Sequence, residues 1–231
     1  MNKTIAKLGG AFLLSLVMSS QAIAAFVLNG TRFIYEEGKK NTSIEVTNQS
    51  TETYGGQTWI DNTNQGNSQV YMVMTPPFFR VAPKEKQLVR IIKTDTALPS
   101  DRESLFWLNV QEIPPMPKNN GEGVLAVAIN TKVKLIYRPK SLLEGRNDAE
   151  RFLRIIHRGR EVFLHNPTPY YFAVTAVKIN GKDVKLNDAI LSQITQLPPK
   201  SEVSLGNVIL NGSVSVEAVN DWGGLVNYSL K

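Results

Sequence analysis

The sequence contains no cysteine and only two histidines, His157 and His165, among its 231 residues. Without cysteine there are no disulfide staples and no reactive thiols. Stability must then come from buried apolar side chains. Thiolate and multi-histidine metal sites are excluded as well, and no acidic loop has the spacing of a carboxylate calcium site. No cofactor is expected. Neither histidine sits beside a Ser or Asp partner motif. Asp101 and Glu103 precede a strand pattern without a visible counterpart, so hydrolytic machinery is missing and the chain reads as a non-enzyme. Long apolar runs are also scarce: beyond the first two dozen residues, none could span a bilayer.

Those first residues have their own logic. Lys3 and Lys7 form a basic start, Leu8 to Met18 is an apolar run too short to cross a membrane, and Ala22-Ile23-Ala24 is a small-x-small cleavage site. The pattern predicts residues 1–24 to be a signal peptide, export from the cytoplasm and a mature chain beginning at Ala25. Without Lys3 and Lys7, 24 basic residues face 20 acidic ones, a net charge of +4. So mild a balance does not point to nucleic acid, but it leaves room for a basic groove that takes an acidic group. With 42% hydrophobic and 20% charged residues, the chain has the composition of a folded protein.

Period-two alternation fills that composition. Its longest run is Gly123 to Pro139, GVLAVAINTKVKLIYRP. Leu125, Val127 and Ile129 point one way, and Val133 and Leu135 continue on one face with Lys132, Lys134 and Ile136 on the other. The pattern predicts one long strand. Its first half is β-rich, uncharged and free of proline. Such a row is either core or an edge kept open for another chain, because exposed edges are usually blunted. Upstream, strand patterns at Phe26–Tyr35 (broken near Asn29-Gly30), Asn41–Asn48, Tyr54–Asp61, Val70–Met74, Phe78–Val81, Gln87–Lys93 and Leu105–Ile113 are separated by turn signals. No helical period appears among them. This is the pattern of an immunoglobulin-like sandwich over 25–142. The polar stretch KSLLEGRNDAE marks a boundary. A second, smaller β-pattern fills 143–231, with strands at Phe152–Ile156, Glu161–Leu164, Phe172–Ile179, Glu202–Leu205, Ser213–Val219 and Leu225–Leu230 and a hairpin signal at Asn180-Gly181. The expected fold class is all-β, with two sandwich domains.

The stretch LPSDRESLFWLNVQEIP at 98–114 resembles the signature of the periplasmic pilus chaperones, the PapD-like family of the chaperone–usher pathway. Further landmarks fall in the same order as in that family: Thr31-Arg32, TPP at 75–77, KVKLIYRP at 132–139, NPTPYY at 166–171 and NDWGG at 220–224. The resemblance covers essentially the whole mature chain. It implies two immunoglobulin-like domains in a boomerang arrangement, with a cleft between them. A basic pair there, Arg32 and Lys134 at the matching positions, would bind the C-terminal carboxylate of a pilin subunit. Leu125, Val127 and Ile129 match the donor strand lent to that subunit. Glu103, Arg138 and Asp221 match an inter-domain ion network. The implied partners are pilin subunits, which the chaperone folds and caps, and an outer-membrane usher that receives them for pilus assembly; the implied location is the periplasm. A further partner to consider is a second copy of the chain, with the free chaperone capping its own open strand by self-association. Without the cysteine pair of the long-loop branch, and with a short link PPMPKNNGEG at 114–123, the chain resembles the short-loop class, which serves rod-like or tip pili.

Physical chemistry supports this division of labour. A pilin lacking one strand exposes an apolar groove and an unpaired sheet edge, and an added strand satisfies both. Three buried aliphatic side chains contribute roughly 1.5–3 kcal/mol each, less the cost of ordering. Their row sets register poorly, since a two-residue slip keeps the same face. A carboxylate clamp would fix it, with Arg32 offering a forked donor and Lys134 a point charge. The competing reading is an exported carbohydrate-binding or adhesive sandwich, with Trp59, Trp107 or Trp222 stacking on sugars. A buried core role is the more frequent use of Trp in such a fold.

Overall fold

The break at Asn29-Gly30 divides the leading strand between two sheets. In the computed structural model, which describes residues 24–63, 65, 69–116 and 127–230, β1 (Phe26–Leu28) ends just before it. Strand β2 (Arg32–Glu36) begins just after it. β1 pairs antiparallel with β3 (Thr42–Asn48), and the Asn29 side chain bridges the gap by accepting the Glu45 amide at 3.0 Å. Strands β4 (Tyr54–Asn62), β5 (Met72–Thr75), β6 (Phe78–Val81), β7 (Lys86–Lys93), β8 (Ser104–Ile113) and β9 (Asn130–Arg138) complete the first domain. They form a four-stranded sheet in the order β1-β3-β7-β5 and a five-stranded sheet in the order β2-β9-β8-β4-β6. Alternation decides what is buried: Ile44 and Val46, Val89 and Ile91, Phe106, Leu108 and Val110, and Leu135 all point into the space between the sheets.

The long strand expected from Gly123 is shorter here. Among the described residues it begins at Asn130, and Val127 and Ile129 precede it. Leu125 lies outside the described residues. The neighbour explains the limit. The last β8–β9 pair is Gln111 with Asn130, and the ladder closes with the Glu112 amide donating to the Ile129 carbonyl at 2.9 Å. β8 then ends, and Pro114 and Pro115 have no N–H with which to extend it.

Two short 3-10 turns, Lys140–Leu142 and Ala149–Phe152, lead into the second domain. It comprises β10 (Arg154–Arg158), β11 (Glu161–Asn166), β12 (Val174–Ile179), β13 (Lys182–Asp183), β14 (Ser201–Gly206), β15 (Val214–Val219) and β16 (Leu225–Ser229). The sheets run β10-β11-β14 and β13-β12-β15-β16 over a second core that includes Leu164, Val177, Leu197 and Val216. Asn180 and Gly181 both have positive φ, +49° and +79°, and close the β12–β13 hairpin. One element was not anticipated from the pattern: the helix α1 (Asp188–Ile194), capped by Asn187, whose side chain accepts the Ile190 amide. At seven residues it is too short to show a convincing helical period.

Candidate functional site

β2 lies parallel to β9, and the register places Arg32 directly beside Lys134. Their neighbours Phe33 and Leu135 face the first core, so alternation turns both cations outward, toward the second domain. There each meets a main-chain carbonyl. Arg32 Nη1 donates to the Val219 carbonyl at 2.7 Å. Lys134 Nζ donates to the carbonyl of Thr195, the residue that caps the C-terminus of α1. A narrow cleft lies between the two cations and Tyr171, Phe172, Ala173 and Gln196. Arg32 Nε is buried and lacks a hydrogen-bond partner.

Burial works against both charges. It lowers the Arg32 guanidinium from its ordinary value, against the opposing field of Asp221. Lys134 is pushed down to about 8, by burial first and by the adjacent Arg32 second. Two desolvated cations side by side, with neutral carbonyls as their direct partners, form a site that is relieved by an incoming anion. In its chemistry a carboxylate would match such a pair, with two oxygens for two donors, of which one is forked.

Below the pair runs a chain of alternating charges across the domain junction. Arg138 Nε donates to Glu103 Oε1 at 2.6 Å and Arg138 Nη1 to Asp221 Oδ2 at 2.7 Å. The three residues expected to form a network are thus brought together. Two residues extend it that the sequence did not single out. Arg146 lies 3.2 Å from Asp221 Oδ1 and grips Glu150 with two hydrogen bonds of 2.9 and 2.7 Å. Glu103 and Glu150 have fully buried side chains. Burial pushes the Glu103 carboxyl up; Arg138 and the Tyr171 amide, 2.7 Å from Oε2, pull the other way. The Arg146 guanidinium also lies over the rings of Tyr170 and Phe172, at 5.7 and 5.3 Å. An Arg and a Glu four residues apart in a polar linker look like an exposed pair. Tyr170 and Phe172 over Arg146, and Asp221 beside it, are contacts distant in sequence that go with its burial.

The apolar row lies at the other end of β9. β2 flanks β9 only from Lys134 to Arg138. Ahead of Lys134, that edge has no strand beside it among the described residues. Val127 is 62% exposed and Ile129 39%. The tryptophans are not core residues. Trp59 and Trp107 are half-buried, Trp107 beneath the Lys132 ammonium at 5.3 Å, and Trp222 is 94% exposed in the turn that carries Asp221.

Two sandwiches joined through a buried ion chain, with a cationic cleft and an open edge along the first half of β9, define a class of two-domain immunoglobulin-like chaperones. Residues 25–143 match the family model for the pili and flagellar-assembly chaperone, PapD N-terminal domain, and residues 148–230 that for the pili assembly chaperone PapD, C-terminal domain. The chain belongs to the PapD-like pilus-assembly chaperones. It is 48% identical to the chaperone protein FanE of Escherichia coli over 93% of this chain and 94% of FanE. It is 40% identical to the chaperone protein FaeE of Escherichia coli, over 94% and 83%. Among solved structures it is similar to the periplasmic chaperone SfaE, with a TM-score of 0.70 and 34% identity over 89% of this chain and 98% of that one.

Proposed function

We propose that this fimbrial chaperone holds a pilin subunit by its C-terminal strand, with Arg32 and Lys134 as the clamp for the terminal carboxylate. Leu125, Val127 and Ile129 are then the donor row that fills the subunit's groove. Glu103, Arg138 and Asp221 fix the angle between the pilin-binding domain, 25–142, and the second domain, 143–231. The chain acts in the periplasm after cleavage before Ala25, passes its client to an outer-membrane usher, and has no catalytic role. One observation carries this reading: a pair of desolvated cations, without a carboxylate bound to Lys134 among the described residues, stands at the inner end of a strand whose outer half has a free edge. A client strand laid along that edge ends at the cations.

The test is capture from the periplasm of the native cell, using tagged wild-type chain and the variants Arg32→Ala and Lys134→Ala, with mass spectrometry of what co-purifies. A small β-rich subunit ending in an alternating apolar strand should accompany the wild type and be lost from both variants. Breaking one partner of a desolvated charge pair costs about 3–5 kcal/mol, enough to remove it. The same subunit retained by both variants would place the carboxylate elsewhere.

A further inference from the structure

The apolar row of β9 does not set its own register. A slip of two residues along β8 would return Val133 and Leu135 to the same face while moving Lys134 away from Arg32. The Arg138–Glu103 bridge opposes that slip at the inner end of β9, and the structure shows a polar ladder on the outer face at the other end. Asn109 on β8 is 1% exposed. Its Nδ2 donates to Asp61 Oδ2 on β4 at 3.0 Å, and its Oδ1 accepts from Asn130 Nδ2 on β9 at 3.1 Å. Both contacts are diagonal, since the direct partners of Asn109 are Trp59 and Lys132. Lys132 adds to these, 3.5 Å from Asp61 and stacked over Trp107. The bond from Asn130 is the one that reads the β8–β9 register: a shift of two residues would put Ala128 or Lys132 in its place, and neither can donate a side-chain amide to Asn109, which Asp61 holds in position from the other side.

The position of the ladder gives it a function. Asn130 is the first strand residue of β9, directly after Ile129 and at the point where the main-chain ladder ends. We propose that Asp61, Asn109 and Asn130 are positioning residues for client capture: they lock β9 against β8 at the root of the donor segment. The spacing from Lys134 and its clamp partner Arg32 to Val127 and Ile129 is thereby fixed. The inference rests on the donor-strand reading above, and it adds residues that touch neither the carboxylate nor the client's groove.

The experiment uses the full mature chain as wild type, Asn130→Ala, Asn109→Ala and the double variant. The first readout is amide hydrogen exchange in the free protein, which needs no client. Loss of the Asn109–Asn130 bond should speed exchange of the Glu112 amide, the last rung of the ladder, roughly five- to tenfold. Amides of residues 134–138 and the thermal midpoint of Asn130→Ala should stay at wild-type values. The second readout is the amount of the β-rich subunit captured with wild type, which should fall by a similar factor. The double variant should lose no more than Asn109→Ala alone. Asn109 is buried, so if Asn109→Ala fails to fold, the exposed Asn130→Ala decides. Wild-type exchange at Glu112 in Asn130→Ala overturns the lock, and faster exchange with unchanged capture overturns its role in binding. A wild-type chain that captures no subunit overturns the donor-strand reading instead, while the exchange result still judges the lock.

Discussion

β9 is one strand with two unlike halves. From Lys134 to Arg138 it is flanked by β2 on one side and β8 on the other, and all of these residues but Lys134 are buried. From Asn130 to Val133 it has β8 alone, and Val127 and Ile129 ahead of it are exposed. Both halves carry the same alternation. They differ in where their neighbours stop: β2 starts only after the break at Gly30, and β8 ends before Pro114 and Pro115. An open edge is thus made by shortening the strands beside it. The closed half anchors the second domain through Arg138, and on the function proposed above the open half is left for a strand from outside.

Removing charge from the closed half gives the largest expected effect. Arg138→Ala leaves Glu103 buried without its main partner and should cost about 3–5 kcal/mol of stability in urea unfolding. A loss below about 1 kcal/mol would mean that ions do not hold this half. Arg146→Met should cost somewhat less, about 3 kcal/mol, because it strands Glu150 but leaves the Arg138–Asp221 bridge. Adding Glu150→Gln to Arg146→Met should recover part of that, which a double-mutant cycle would measure as coupling. The open half should respond the other way. Ile129→Ser should leave the unfolding midpoint unchanged yet weaken client capture by about 2 kcal/mol, roughly 30-fold, the worth of one buried aliphatic side chain. A shifted midpoint with intact capture would show that Ile129 belongs to the core.

Much of this contrast was legible in the sequence, for reasons that can be named. Alternation identified the strands because each sheet of the first domain has one face in the core, and Asn29-Gly30 marked the break at which the leading strand divides. Arg32 and Lys134 were singled out by family motifs, and period two placed Lys134 opposite Leu135. What stayed hidden depended on contacts distant in sequence. Nothing local says that Arg146 lies against Tyr170 and Phe172 and holds Glu150 in the interior, or that the Val219 and Thr195 carbonyls would receive the two cations. The start of β9 was misjudged because its own alternation continues past the point where β8 runs out of N–H groups. Helix α1 escaped because two turns carry too little period. The tryptophans were expected in the core, yet Trp107 lies on the outer face under Lys132 and Trp222 at the tip of a turn.

The smallest expected effect joins the two halves through Lys134. Burial and Arg32 hold its ammonium down to about 8 in the free chain, whereas a bound carboxylate favours the charged form. Above pH 8, binding must therefore take up a proton, and client affinity should fall by about tenfold per pH unit until the value in the complex is reached. Below pH 8 the lysine contribution should be flat. The free chain should show the opposite sign. Between about 8 and the ordinary lysine value, the folded state carries fewer protons at this site than the unfolded one, so this group's contribution to stability rises with pH over the window in which affinity falls. Lys134→Met should abolish both slopes, bind client weakly at every pH and melt no lower than wild type, because it removes a charge that folding has to desolvate. Titration of client binding and of urea unfolding between pH 7 and 9.5, on wild type and Lys134→Met, checks this. Parallel slopes in the two measurements would show that the lysine serves the fold and not the client, and the division of β9 would then have to be drawn on the other side of Lys134.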